Sequence, residues 1–192
     1  MSSDIFSRKI NVSDYAMIYA GAQKNLGPAG TTLYIVKDDL LGKTDRTIPT
    51  MLDLSVHAAK GSMFNTPPVY PIYVSMLTLE WLKANGGIEW IAKVNEEKAA
   101  LLYNEIDSNS LFEGTAANED RSNMNVTFVL TNQDHKEDFD TMWNEAGISG
   151  INGHRDVGGY RASIYNAMPI ESVQVLVDTM KQFANKYDLV TS

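Results

Sequence analysis

Ala20-Gly21-Ala22-Gln23-Lys24-Asn25-Leu26-Gly27-Pro28-Ala29-Gly30 sets one lysine in a turn of small residues directly after an apolar run. Residues 16–22, Ala-Met-Ile-Tyr-Ala-Gly-Ala, read as a short buried strand, and Thr31 to Val36 read as a second, rich in β-branched and aromatic side chains. The glycines and Pro28 mark the turn between them. A lysine so placed can be a covalent catalyst, because a neutral amine attacks carbonyls and a partly desolvated lysine near positive charge loses its proton more easily. The competing reading is a solvated loop lysine, and the turn alone does not choose between the two.

Composition narrows the rest. A chain of 192 residues can bury one good core or two small ones, and its apolar share of 44% is ordinary for a globular protein. Sixteen basic residues against 24 acidic ones give a net charge of −8, which argues against general affinity for nucleic acid or an anionic membrane. Anionic substrates must then be held by local arginines. Without cysteine, neither a disulfide framework nor thiolate metal ligation is available, and His57 and His135 belong to no cluster with metal-ligand spacing, so no metal is expected. Met1-Ser2-Ser3-Asp4-Ile5 has neither a basic start nor a long apolar stretch, and a cytoplasmic setting with no membrane contact is expected.

Downstream, residues 42–61 are polar and aperiodic and read as a loop, closed by Pro67-Pro68. Residues 71–84 read as a helix apolar over so much of its circumference that it should be buried on several sides, with Gly86-Gly87 as its stop. A second helix follows over 88–106. Met124, Val126, Phe128 and Leu130 alternate with polar residues, as in a strand with one buried face. Phe139, Met142, Trp143 and Ala146 share one face of a helix ending at Gly147, residues 161–165 suggest a strand, and Val173 to Tyr187 make the clearest amphipathic helix. Residues 109–123 are polar and read as a surface loop. Trp81, Trp90 and Trp143 sit at helical positions and read as core or interface residues. Gly158-Gly159 precedes a strand instead of opening a helix, which is not a dinucleotide fingerprint.

Tyr19-Ala20-Gly21-Ala22-Gln23-Lys24-Asn25 with Gly27-Pro28-Ala29-Gly30 resembles the cofactor-lysine segment of the phosphoserine aminotransferases, class V pyridoxal-phosphate enzymes of fold type I. Three stretches agree in the same order: Pro49 to Asp53, Met63-Phe64-Asn65-Thr66-Pro67-Pro68, and Gly153-His154-Arg155 through Gly158-Gly159-Tyr160-Arg161 to Asn166. The resemblance spans essentially the whole chain. It implies an α/β fold: residues 1–70 as the remnant of a large cofactor-binding domain, 71–87 as a connecting helix, and 88–192 as a complete small α+β domain. Members of the family run to roughly twice this length, so the chain resembles a C-terminal half. The acidic partner of the pyridine nitrogen and the aromatic that stacks on the ring would then lie upstream. The chain alone is accordingly expected to show little or no transaminase activity, and the alternative is a folded, non-catalytic domain with at most weak anion binding.

By resemblance, Lys24 carries pyridoxal 5'-phosphate and moves the proton between the substrate Cα and the cofactor. Gln23 contacts the cofactor phosphate, with a turn glutamine bonded to backbone as the rival reading. Asn65 and Thr66 reach the phosphate in the neighbouring subunit, which implies a homodimer with shared active sites; without the resemblance, a turn capping the next helix would be favoured. Arg161 binds the substrate α-carboxylate, while His154 and Arg155 bind the distal anion, the side-chain carboxylate of glutamate or the phosphate of a phosphorylated 2-oxo acid. Two arginines in exposed salt bridges are the rival reading there.

Overall fold

The computed structural model describes residues 1–188, and the chain divides into two compact units, Met1–Ile88 and Glu89–Ser192. In the first, strands β1 (Met17–Gly21) and β2 (Thr32–Val36) pair antiparallel, with Ala20 opposite Leu33 and Gly21 opposite Thr32. Alternation decides their faces. Ile18 and Ala20 point inward onto Ile5, Phe6 and Ile10 of the N-terminal segment, while Met17 and Tyr19 stand out on the other face.

The stretch 42–61, expected to be a loop, holds a short helix, α1 (Leu54–Ala59). Asp53 creates it: its carboxylate accepts from the Ser55 backbone N–H at 2.9 Å and from the Ser55 hydroxyl at 2.6 Å, a helix start too brief to show as periodicity. Those hydrogen bonds from Ser55 also hold the Asp53 pKa below the ordinary carboxylate value.

Helix α2 (Val69–Ala84) corrects the expectation of burial on several sides. Only Ser75 and Leu82 are buried, while Val69 is 71% and Tyr70 is 70% exposed and Ile72, Tyr73, Met76 and Leu77 are open as well. The unit offers a two-stranded sheet and loops, too little surface to cover a helix that is apolar all round.

The second unit is a three-stranded antiparallel sheet in the order β3 (Phe112–Gly114), β4 (Asn125–Leu130), β5 (Tyr160–Ser163), with helices α3 (Gly87–Ser108, which opens at the unit boundary), α4 (Lys136–Glu145) and α5 (Ile170–Asp188). The period-2 pattern of β4 comes out as expected, with Val126, Phe128 and Leu130 buried. They join Leu102 and Ile106 of α3, Phe139 and Trp143 of α4, and Val173, Leu176, Val177, Met180 and Phe183 of α5 in one core. Strand β3 lies inside the stretch expected to be a surface loop. Its one strong apolar residue, Phe112, is buried edge-on against Phe128 and Phe139, and a single buried side chain leaves no period in the sequence. Trp143 sits in this core, where Asp140 accepts from its indole N–H at 3.0 Å and from the Tyr160 hydroxyl at 2.8 Å, so neither polar tip is left unpaired.

The 115–124 connection is fastened by Arg121, whose guanidinium makes two 2.7 Å hydrogen bonds to Asp107 and lies over the Tyr103 ring at 4.5 Å. These bonds hold the Asp107 pKa below its usual value. A carboxylate whose folded pKa is depressed stabilises the fold above its unfolded pKa and loses that contribution as pH falls through the folded one. Urea titrations should therefore show the wild-type midpoint falling below about pH 4, with a shallower fall in Asp107→Asn.

Candidate active site

The lysine turn is built by backbone economy. After β1 the Ala22 N–H donates to Thr31 O at 3.0 Å, and Ala22 O accepts from Leu26 and Gly27 at 3.0 and 2.8 Å, closing a tight loop around residues 23–25. Asn25, only 5% exposed, turns inward and donates through Nδ2 to Ser3 O at 2.8 Å and Ile5 O at 2.9 Å. Losing such a buried donor would strand two carbonyls, at a cost of about 1–3 kcal/mol. Gly27 lies against α2, where a Cβ would stand 2.8 Å from the Ser75 hydroxyl and 3.3 Å from the Ser75 backbone N, so a larger residue would push the turn and the helix apart. Between these two anchors Lys24 is half-buried and Gln23 is exposed. Asn25 and Gly27 thus brace the turn on which Gln23 and Lys24 stand.

Asn65 and Thr66 are both exposed, with Asn65 Nδ2 donating to Thr66 O at 3.2 Å. The helix-capping alternative does not describe them: α2 starts from Pro68, with no side-chain cap hydrogen bond. His57 sits at the end of α1, donates to Met51 O at 3.0 Å and meets the Phe64 ring edge-on at 5.7 Å, a structural role just ahead of Asn65.

In the second unit, the turn 153–159 delivers the other constellation. Gly153 N–H donates to Gly159 O at 2.8 Å, while the Val157 and Gly158 N–H groups donate to His154 O at 3.0 and 2.8 Å. A Cβ on Gly153 would meet Gly158 O at 2.0 Å, which makes glycine obligatory where the loop closes on itself. The closure presents His154 and Arg155 at the foot of β5, both exposed, with His154 Nδ1 3.5 Å from Asp156. Arg161 follows on the strand. Its backbone N–H donates to Ile151 O at 2.7 Å, and its side chain is exposed while Tyr160 and Ala162 on either side are buried. None of the ion pairs among the described residues involves Arg155 or Arg161, contrary to the salt-bridge alternative. Residues 23–66 of the first constellation lie in the first unit, and residues 154–161 of the second lie in the second.

Sequence reading missed Lys98 and Asn95. Both lie on the buried stripe of α3 with Ile91, Ala99, Leu102 and Ile106, at helical spacing that marks them as inward-facing. Among the described residues no group of three or more histidines and acidic side chains could hold a metal, and no helix is long and apolar enough to cross a membrane.

A sequence model of the family described as aminotransferase class-V matches residues 1–176. The phosphoserine aminotransferase of Flavobacterium psychrophilum is 66% identical over 186 residues, which are 97% of this chain and 52% of that protein. Among solved structures, the phosphoserine aminotransferase of Bacillus circulans subsp. alkalophilus superposes with a TM-score of 0.93 at 41% identity, over 97% of this chain and 52% of its own. A pyridoxal-phosphate-bound phosphoserine aminotransferase from Trichomonas vaginalis superposes with a TM-score of 0.88 at 35% identity, over 94% and 52%. The chain spans about half the length of the relatives it matches. With one family matched along most of its length and the mixed α/β fold shared with these structures, the chain belongs to the class-V aminotransferases.

Proposed function

We propose that the chain is the C-terminal part of a phosphoserine aminotransferase, which moves an amino group between glutamate and 3-phosphooxypyruvate to give 2-oxoglutarate and O-phosphoserine. In this reading it serves serine biosynthesis in the cytoplasm, and a related phosphorylated substrate on the route to pyridoxine fits the same clamp. Residues 1–70 are the end of the large domain, 71–87 the connecting helix and 88–192 the small domain. The observation that carries the reading is the lysine turn: Lys24 stands on a segment held by Asn25 to the N-terminal residues and by the close approach of Gly27 to Ser75.

These residues fit pyridoxal 5'-phosphate. Lys24 supplies the primary amine, and the exposed amide of Gln23 beside it supplies a donor for the phosphate. Asn65 and Thr66, exposed and not engaged in capping, supply further donors, to the site of the neighbouring subunit in a homodimer. The cofactor, when bound, supplies the electron sink. Lys24 holds and returns the proton at the substrate Cα. Arg161 offers its planar fork to the α-carboxylate, and His154 with Arg155 takes the distal carboxylate or phosphate, so that one site accepts both substrates in turn.

The complete enzyme for testing comes from its own coding sequence or from joining this chain to the first half of the Flavobacterium psychrophilum relative. A bidentate, charge-assisted pair is worth about 1.5–3 kcal/mol, so Arg161→Ala should raise the glutamate KM by about 10- to 100-fold. An unchanged KM would remove Arg161 from the carboxylate site. A second reading, a folded but non-catalytic domain when the chain is alone, is favoured by the bare apolar surface of α2 together with the half-length match. In that case the isolated chain has no turnover while the complete enzyme does.

A further inference from the structure

Lys98 is fully buried, at 0% exposure, and no ion pair involving it occurs among the described residues. Its ammonium donates instead to three backbone carbonyls: Ile164 at 3.0 Å, Tyr165 at 2.8 Å and Met168 at 3.1 Å. One turn earlier on α3, Asn95 Nδ2 donates to the side-chain oxygen of Asn166 at 2.9 Å. Both α3 side chains therefore grip residues 164–168, the stretch through which the chain leaves β5 and enters α5.

A buried cation is costly, and an apolar side chain of the same length would pack with less penalty. What the ammonium adds is geometry. It carries three N–H donors and meets three carbonyls, whereas a neutral amine would carry two. Burial pushes its pKa down to about 8, which leaves it charged at neutral pH. The gripped segment begins three residues after Arg161. At its entrance, β5 is held by the Arg161 to Ile151 and Gly153 to Gly159 backbone bonds, and at its exit by the Ile164 N–H to Met124 O bond at 3.0 Å and by Lys98. A guanidinium that must meet a carboxylate with two parallel bonds tolerates little drift in the strand that presents it.

We propose that Lys98 is a positioning residue for Arg161: by holding the exit of β5 through its backbone, it fixes where the strand presents the guanidinium to the substrate carboxylate. The proposal rests on the reading of Arg161 as the carboxylate clamp. The test is a double-mutant cycle in the complete enzyme with Lys98→Met and Arg161→Ala, measuring kcat and the glutamate KM.

Lys98→Met should raise KM by about 10-fold with kcat little changed, and should add nothing further in the Arg161→Ala background. A purely structural lysine gives the opposite outcome, a lower unfolding midpoint with KM unmoved, or a KM effect that persists in full without Arg161; either result overturns the proposal. Failure of the clamp reading is distinct, because it shows in Arg161→Ala alone as an unchanged KM, and the positioning role then falls with it. If Lys98→Met does not accumulate, Asn95→Ala loosens the same anchor through Asn166. Its KM should rise in the same Arg161-dependent way, and an unchanged KM overturns the proposal.

Discussion

Lys24→Ala should abolish transamination in the complete enzyme while leaving the fold in place. On the proposed role of Lys24 the expected loss in kcat is about 1,000-fold or more, because the substitution would remove the general base and the only side-chain amine on the turn. The fold should survive because the turn is braced through its neighbours. Asn25 holds the turn to Ser3 and Ile5, Gly27 lies against Ser75, and the backbone of Ala22 closes the loop. Unfolding midpoint and circular dichroism should accordingly match wild type. A variant that retains turnover within about tenfold would place the proton transfer elsewhere.

Phe139→Ala should have the largest effect on stability, costing about 3–5 kcal/mol in denaturant unfolding. Phe139 is fully buried, and its ring meets those of Phe112, Tyr160 and Phe183, each at 5.1 Å between centroids. These partners come from β3, β5 and α5, so the ring sits where a helix and two strands converge on α4. Each partner is also fixed from another side. Tyr160 is stacked on Phe128 and bonded to Asp140, and Phe112 is packed edge-on to Phe128. The cavity could not collapse without moving the sheet, which puts the cost at the upper part of the large-to-small range. A loss under about 1.5 kcal/mol would mean that the core relaxes far more freely than this packing allows.

How much of this was legible in the chain depended on whether the information was local. Strand β4 and helix α5 each repeat an apolar residue at one period over several turns or pleats, and both appear as the sequence predicts. The β1 turn was equally readable, because a strand, a small-residue turn and a second strand follow one another directly. Strand β3 was not, since Phe112 alone faces the core and its pairing with β4 is set by partners beyond the 115–124 connection. Helix α1 was hidden because one aspartate, not a repeat, starts it.

Helix α2 shows a different limit. Its composition says that it is apolar on every side, but composition cannot say how much covering surface one unit supplies. The site divides the same way. Lys24, Asn65 to Thr66 and His154 to Arg161 stood out through short contiguous motifs, whereas Lys98 acts on carbonyls 66 to 70 residues away, and no local pattern encodes that pairing. Its inward face on α3 was the one available signal, a charged residue in register with Ile91 and Leu102.

The proposed function stands or falls with Lys24 as the amine that holds the cofactor. Its most direct measurement is borohydride reduction of the complete enzyme loaded with pyridoxal 5'-phosphate, followed by digestion and mass spectrometry. The reduced label should lie on the peptide containing Gln23-Lys24-Asn25 and disappear from that position in Lys24→Ala. A label found on another lysine, or spread over exposed lysines such as Lys37 and Lys60, would contradict it.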